Sequence, residues 1–451
     1  MVTSLGASTV GLPADLKKRD SKRLAKYKLY LAFYAGAQYT GIARGTKLRR
    51  LTVNYTRTFV RKISSYIMKG FAITVEPNGD SEEHRRLAAA AEDAWYEIAQ
   101  NNGLTRIDMA TEIDCATLGD AGYRVGWDAA LKRVAITAID VGSVYVWPHP
   151  TDPLQFTRLA YRYELTAEQL AVAFSGLYTG KTSTIVTEDW TDDGLNIWID
   201  DENTPAIVLP NPYGFVPFVV YPNEQVPKEF WGESDIEPLM EMARELNNEY
   251  SRLSNLMELS GNPIAVLAGV DDASGVETFP GAIWTLPEDA KATVLDMLSS
   301  GAATAHLAYL EDVRRVMHDI SEIPRTAFGG DTSRQLSGVA LEVELEPLLQ
   351  KAGRKRAIRG DAYRNRALMA FRISDQFADT TLADSGRITI SWDALTPRDR
   401  TREIQDELAL TGNAQPLSSR HSAMARLGVP DPDAEIARIE ADAPEPVDTN
   451  A

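Results

Sequence analysis

The sequence is poor in the residues that usually announce chemistry: it has one cysteine, five histidines and no long hydrophobic run. The single thiol, Cys115, excludes an intramolecular disulfide framework and a tetrahedral cysteine zinc site. It suits a reducing compartment. The histidines, at 84, 149, 306, 318 and 421, form no H-E-x-x-H pattern. His306 and His318 are too far apart along one helix to share a metal, so surface or interface roles are expected and no metal or cofactor is implied. The longest uncharged run, Asn203 to Asn223, carries Pro205, Pro210, Pro212, Pro217 and Pro222. Prolines at that density break a spanning helix, so the run reads as short strands and turns, with no membrane partner. The first twenty residues lack a basic stretch followed by an apolar core, so they do not read as a signal peptide.

What is present is charge, unevenly spread. Across 451 residues, 47 basic and 64 acidic side chains give a net charge of -17. The length suggests about three domains. The acidic balance excludes a protein that grips nucleic acid over its whole surface. Residues 1–70 hold 15 basic and 2 acidic side chains, a net of +13, so the remainder carries -17 - 13 = -30. A second basic island joins Lys351, Arg354, Lys355, Arg356, Arg359, Arg364, Arg366 and Arg372 against Asp361 alone. That island is either an interaction surface or a solvated helix face balanced by acidic neighbours. For the N-terminal segment a charge-based partner contact is the favoured reading.

Periodicity outlines an α+β chain, mainly α. Leu16 to Ala43 offers one or two helices bearing Tyr27, Tyr30, Phe33 and Tyr34. Val53 to Gly70 follows, with Val60, Ile63 and Ile67 at helical spacing. Phe71 to Glu76 alternates as a strand, and Ser81 caps a helix that ends at Asn102-Gly103. From about Gly122 to Val226 strands dominate, interrupted by a short helix at Thr166 to Phe174. Three long helices come next. The first, from about Ser234 to Ser260, starts on a Ser234/Glu237 capping-box pattern and carries an apolar face that includes Met240, Ala243 and Met257. Short strands at Ile264 to Val270 and Gly281 to Leu286 separate it from the second, Ala302 to Ser321, striped with Leu307, Leu310, Val313, Met317 and Ile320. The third, Gln335 to Gln376, should kink at Pro347, whose ring blocks the bond to Val343. A strand at Arg387 to Trp392, helices at Thr396 to Leu410, Ser418 to Leu427 and Asp433 to Ala441, and a polar tail complete the reading.

Catalytic patterns are missing. Gly176 to Thr182 resembles the end of a phosphate-binding loop, but Ser175 stands where G-x-x-x-x-G-K-[ST] requires glycine, and a helix precedes it where a strand is needed. A turn is the favoured reading. Gly232-Glu-Ser234 lacks the G-x-S-x-G of a nucleophile elbow, and Cys115 has no base nearby in sequence.

Several ordered stretches carry a likeness. They are Phe230-Trp-Gly-Glu-Ser-Asp235 opening a helix with Asn247-Asn248-Glu249-Tyr250-Ser251, then Ser260-Gly-Asn-Pro263, Ser321-Glu-Ile-Pro324 before a glycine-rich loop, Gln335 to Leu341, and Leu427-Gly-Val-Pro-Asp-Pro-Asp433. Together, over roughly residues 50–441, the chain resembles the portal proteins of tailed double-stranded DNA bacteriophages. The resemblance implies a homo-dodecameric ring with wing, stem, clip and crown, at one vertex of the virion capsid and assembled in the host cytoplasm. It implies a channel through which double-stranded DNA is packaged and ejected. Implied partners are the terminase large subunit, a head-completion or adaptor protein, and the major capsid or scaffolding protein.

By that analogy residues 1–49 are a basic N-terminal segment and 50–232 the α+β wing part. Residues 233–260 and 302–323 are stem helices around a clip at 261–301. Residues 324–334 form the tunnel loop and 335–396 the long kinked wing helix and strand. Residues 397–441 are the helical crown and 442–451 a disordered tail. The stem residues are Ile236, Leu239, Leu246, Tyr250, Leu253, Leu310 and Met317, and the clip residues Ile264, Val266, Phe279 and Trp284. The tunnel loop offers Arg325, Phe328, Gly329, Gly330, Thr332, Ser333 and Arg334 to the channel. Arg325 and Arg334 either touch phosphates or pair with acidic neighbours. An acidic conduit avoids tight phosphate contacts, which suits a duplex that must slide. The other classes in play are a phosphate-loop nucleotide enzyme and a helical scaffold without DNA passage.

Overall fold

A computed structural model describes residues 12–38, 50–152, 154–174, 180–261, 264–269, 289, 291–295, 300–329, 338–395, 400–412, 417–426, 435, 436, 438 and 439. The chain divides into two compact units, Met1–Asp393 and Ala394–Ala451.

The basic start folds back on the protein as α1 (Leu12–Arg19) and α2 (Ser21–Tyr34). Tyr27, Tyr30 and Phe33 are buried, as their spacing predicts. Next come α3 (Tyr55–Ile67), capped by the Asn54 side chain, and β1 (Phe71–Pro77). Helix α4 (Glu82–Asn102) begins at Ser81, whose side chain accepts from the His84 N–H at 3.2 Å. Gly103, at φ 63°, turns the chain directly into α5 (Leu104–Leu118). This helix has no counterpart in the sequence reading. Its buried face holds Asp108, Thr111, Glu112 and Cys115 and so lacks an apolar stripe.

The strand-rich region contains β2 (Asp120–Asp128), β3 (Arg133–Ala138), β4 (Val144–Pro148), β5 (Phe156–Thr166), α6 (Ala167–Ala173), β6 (Ser183–Thr191), β7 (Gly194–Ile199), β8 (Ile207–Pro210) and β9 (Phe218–Pro222). The last two fulfil the strand-and-turn reading of the proline-bearing run. The strands make two antiparallel sheets, in the orders β3-β2-β9 and β4-β5-β6-β7-β8. In the larger sheet the faces alternate: Val144, Val146 and Leu159 enter one core, while Tyr145 and Ala160 turn to Leu12 and Leu16 of α1.

Helix α7 (Met240–Gly261) follows a single 3-10 turn, Glu237–Leu239. The expected capping box does not form. The Ser234 hydroxyl donates to the Thr117 carbonyl and accepts from the Ile236 N–H at 3.1 Å, while Glu237 takes a bond from Lys26 at 2.7 Å. Tertiary partners have outcompeted the local cap. An antiparallel hairpin of β10 (Ile264–Ala268) and β11 (Lys291–Leu295) leads to α8 (Ser300–Ser321). The strand expected at 281–286 lies outside the described residues, and β11 is the partner of β10.

Helix α9 (Gly338–Ala378) contains Pro347 and runs under β2, β3 and β9. Its Tyr363, Ala367, Ala370 and Phe371 join Val75, Trp95, Tyr123, Val125 and Ile136 in the largest core. Strand β12 (Gly386–Trp392) pairs with β1 in antiparallel register, Phe71 opposite Trp392. The second unit contains α10 (Arg400–Thr411) and α11 (Arg420–Arg426). Most of the helix expected at 433–441, and the tail, lie outside the described residues.

Candidate functional site

The feature that carries most of the sequence-selected residues is the hairpin of α7 and α8. Pairing of Glu249 with His306, and of Glu245 with Tyr309, shows the two helices to be antiparallel. The base of the hairpin is dry: Ile236, Leu239, Ala243, Leu246, Leu310, Val313 and Met317 are buried. Away from the base the apolar residues emerge. Tyr250 and Leu253 are half-buried, and Met257 and Leu307 are each 59% exposed. Val266 on β10 is also exposed. Among the described residues nothing covers Met257, Leu307 and Val266, so the outer hairpin keeps an apolar surface that costs free energy in water. Phe279 and Trp284 lie outside the described residues.

The Asn- and Ser-bearing stretch of α7 acts as a backbone clamp. The side chain of Asn247 accepts from the Val53 N–H at 2.7 Å, and Ser251 accepts from the Leu51 N–H at 2.9 Å. An extended segment entering α3 is thereby tied to α7, and its donors are satisfied in a partly buried place.

The turn after α8 is anchored at its first half. Pro324 leads into a 3-10 turn, Arg325–Phe328, closed by Gly329 at φ 77°. Phe328 packs edge-on against Phe59 at 5.6 Å and His318 at 5.7 Å, with the Lys62 ammonium 5.1 Å from its ring. Arg325 is exposed and pairs with Glu311. Gly330, Thr332, Ser333 and Arg334 lie outside the described residues.

Beneath the hairpin sits a buried charge network, and here the second basic island is explained differently. Lys351, Lys355, Arg356, Arg359 and Arg366 are buried, so that stripe is neither a solvated face nor a free surface. Lys351 and Lys355 flank Asp235 at 3.0 and 2.5 Å, locking α9 to the residues that lead into α7. Burial alone would raise the Asp235 carboxyl, but the two ammoniums hold it well below the usual carboxylate range. Arg359 and Glu112, both with fully buried side chains, form two bonds of 2.8 and 2.9 Å. The remaining Arg359 donors reach the Asn223 carbonyl at 2.6 Å and Cys115 Sγ at 3.3 Å. Arg366 pairs with Asp108, which also accepts from the Tyr123 hydroxyl at 2.9 Å. Only Arg354 and Arg364 of the island have exposed ion pairs, with Glu322 and Asp361.

The N-terminal cations are similarly absorbed in part. Arg23 stacks on Trp231 at 3.7 Å and donates to the Val141 and Val144 carbonyls at 2.8 and 2.6 Å. Arg19 and Arg158 lie 4.3 and 4.4 Å from the Trp147 ring. Lys26 and Tyr30 bond Glu237 in the 3-10 turn before α7. Lys18, Lys22 and Lys28 remain exposed. Near Tyr27, Asp120 is pushed up to about 7 by burial, against the pull of the Gly232 N–H and the Tyr27 hydroxyl.

Elsewhere, Lys181 pairs with Asp200 at 2.6 Å on the surface, in a turn between α6 and β6, and Gly176 lies outside the described residues. Cys115 is buried, as its size suggests. Among the described residues no group of His, Cys, Asp and Glu could hold a metal ion, and no helix is long and apolar enough to cross a membrane. The acidic partners Asp108, Glu112 and Asp235 escaped the sequence reading. One signal was available: carboxylates four apart, and cations at 351, 355, 359 and 366, each mark one face of a helix.

A family model described as phage portal protein, SPP1 Gp6-like, matches residues 15–446, nearly the whole chain. No curated protein matches it.

Proposed function

The chain belongs to the SPP1 Gp6-like phage portal protein family, a structural family of the capsid and head-tail connector, and from that premise we propose how it works. Twelve copies form a ring at one capsid vertex, around a channel that passes double-stranded DNA during packaging and ejection. The carrying observation is the outer stem hairpin, whose Met257 and Leu307 are exposed and have no cover among the described residues, with Leu253 half-buried beside them. Neighbouring copies at that face remove the apolar surface from water.

In this reading residues 261–301 form the clip, where the terminase large subunit docks first and a head-completion or adaptor protein later. Residues 324–334 form the tunnel loop, with Phe328 as its anchor on α3 and α8, and Gly329, Gly330, Thr332, Ser333 and Arg334 beyond the anchor. The wing faces the major capsid or scaffolding protein, and 397–441 the capsid interior as crown. The net charge of -17 per copy keeps the duplex from adhering. Electron microscopy of the purified protein tests the ring. Closed particles with a duplex-wide hole are expected, and persistent monomers or rings without a hole overturn the proposal. Lys181→Ala is expected to leave nucleotide binding undetectable in both proteins; ATP binding lost with Lys181 would restore the enzyme reading.

A further inference from the structure

The two-stranded sheet of β1 and β12 has a bare edge that faces a groove. In an antiparallel strand, the N–H and C=O of one residue point to the same side, and sides alternate. Gly70 C=O accepts from the Asp393 N–H at 3.0 Å, which puts the even-numbered residues of β1 toward β12. Val75 N–H instead donates to the Glu92 carboxylate at 2.6 Å, which puts the odd-numbered residues outward. Glu92 satisfies the edge at Val75. The outward groups of Phe71 and Ile73 have no hydrogen-bond partner among the described residues. They line a groove of about 850 Å³ whose wall includes Trp95, Tyr96, Leu104 and Met109. Tyr96 is 64% exposed there.

We propose that this edge is a docking site for a short extended segment of a partner protein that adds a third strand beside β1. Phe71 and Ile73 would each exchange both backbone hydrogen bonds with the incoming strand, and Tyr96 and Met109 would receive its inward side chains. Glu92 fixes where pairing stops. Charge selects the partner. On the groove wall Glu92 and Asp93 outnumber Lys69, Arg366 is consumed by Asp108, and the chain beyond residue 70 carries a net of -30. The matching segment is therefore basic, with apolar residues at alternate positions.

The probe is a short synthetic peptide alternating valine and lysine, measured against the assembled protein by fluorescence anisotropy and amide hydrogen exchange. Binding is expected, with exchange at Phe71 and Ile73 slowed roughly tenfold or more. A valine–glutamate peptide should bind at least roughly tenfold more weakly. Ile73→Pro removes an outward donor without touching the β1–β12 ladder and should abolish binding. Tyr96→Arg, on an exposed helix face, tests the same groove should the proline variant fail to fold, and it should weaken the lysine peptide roughly tenfold or more. Equal binding of both peptides, or unchanged binding to Tyr96→Arg, overturns the proposal. So does strong protection of Phe71 and Ile73 before any peptide is added, because a second copy of the chain then already covers the edge.

Discussion

Replacing Arg359 with methionine removes the cation at the centre of the network and leaves Glu112 fully buried without its bidentate partner. Breaking a buried pair from one side costs about 3–5 kcal/mol, because the surviving charge keeps its desolvation cost. The Asn223 carbonyl also loses its 2.6 Å donor. Adding Glu112→Leu removes the orphaned charge and should recover most of the loss. Recovery stays incomplete by about 1–3 kcal/mol, the cost of the unsatisfied Asn223 carbonyl. The double variant should therefore be more stable than the single one, a sign that an additive view forbids. Urea unfolding followed by the fluorescence of the eight tryptophans reads the difference. A single variant that loses less than about 1 kcal/mol, or a double variant weaker than the single, refutes the buried-pair reasoning.

Asp120→Asn should alter the pH profile of stability. The folded carboxyl titrates at about 7 against an ordinary 3.8, so the folded state binds its proton more tightly and this residue's contribution is lost as pH rises from about 4 to 7. The variant should gain up to about 4 kcal/mol relative to wild type at pH 8 and nothing at pH 3; parallel urea midpoints at both pH values would contradict the shift. Leu307→Asp should leave the fold of each copy intact by circular dichroism and prevent ring formation by size-exclusion chromatography, whereas intact rings would remove Leu307 from the interface. Leu310→Ala, at the buried base, should cost about 2–5 kcal/mol in the same urea assay, and a neutral effect would show that the hairpin base repacks. Reversing Lys18, Lys22 and Lys28 should weaken a capsid, scaffold or DNA contact without lowering the melting temperature, and unchanged head assembly and DNA content would exclude it.

Much of the fold was legible because most elements bury apolar residues at regular spacing. Helix α3, helices α7 and α8 and the strand series follow that rule, and Ser81 and Gly103 mark a helix by local chemistry alone. Helix α5 broke the rule, since its buried face is built from Asp108, Thr111 and Glu112. The basic island of α9 was misread for the complementary reason. Its cations are buried by carboxylates more than 100 positions away, and proximity in sequence carries no trace of that pairing. The apolar residues Ile236, Leu239, Leu246, Leu310 and Met317 of the α7–α8 hairpin base are buried, as their periodicity predicts. The lone ion pair of Arg325 and the packing of Phe328 depend on Glu311 and Phe59, which no loop composition reveals.

The long-range pairing also has a consequence for the order in which the fold can be completed during synthesis. Arg359 and Arg366 meet Glu112 and Asp108 across 247 and 258 positions. At about 5–20 residues per second, the carboxylates are synthesised roughly 12–50 s before their cations. Packing α5 earlier would strand two unpaired charges away from water. Helix α5 can therefore complete its buried pairing only after α9 has been made, so the network couples the middle of the chain to its last long helix.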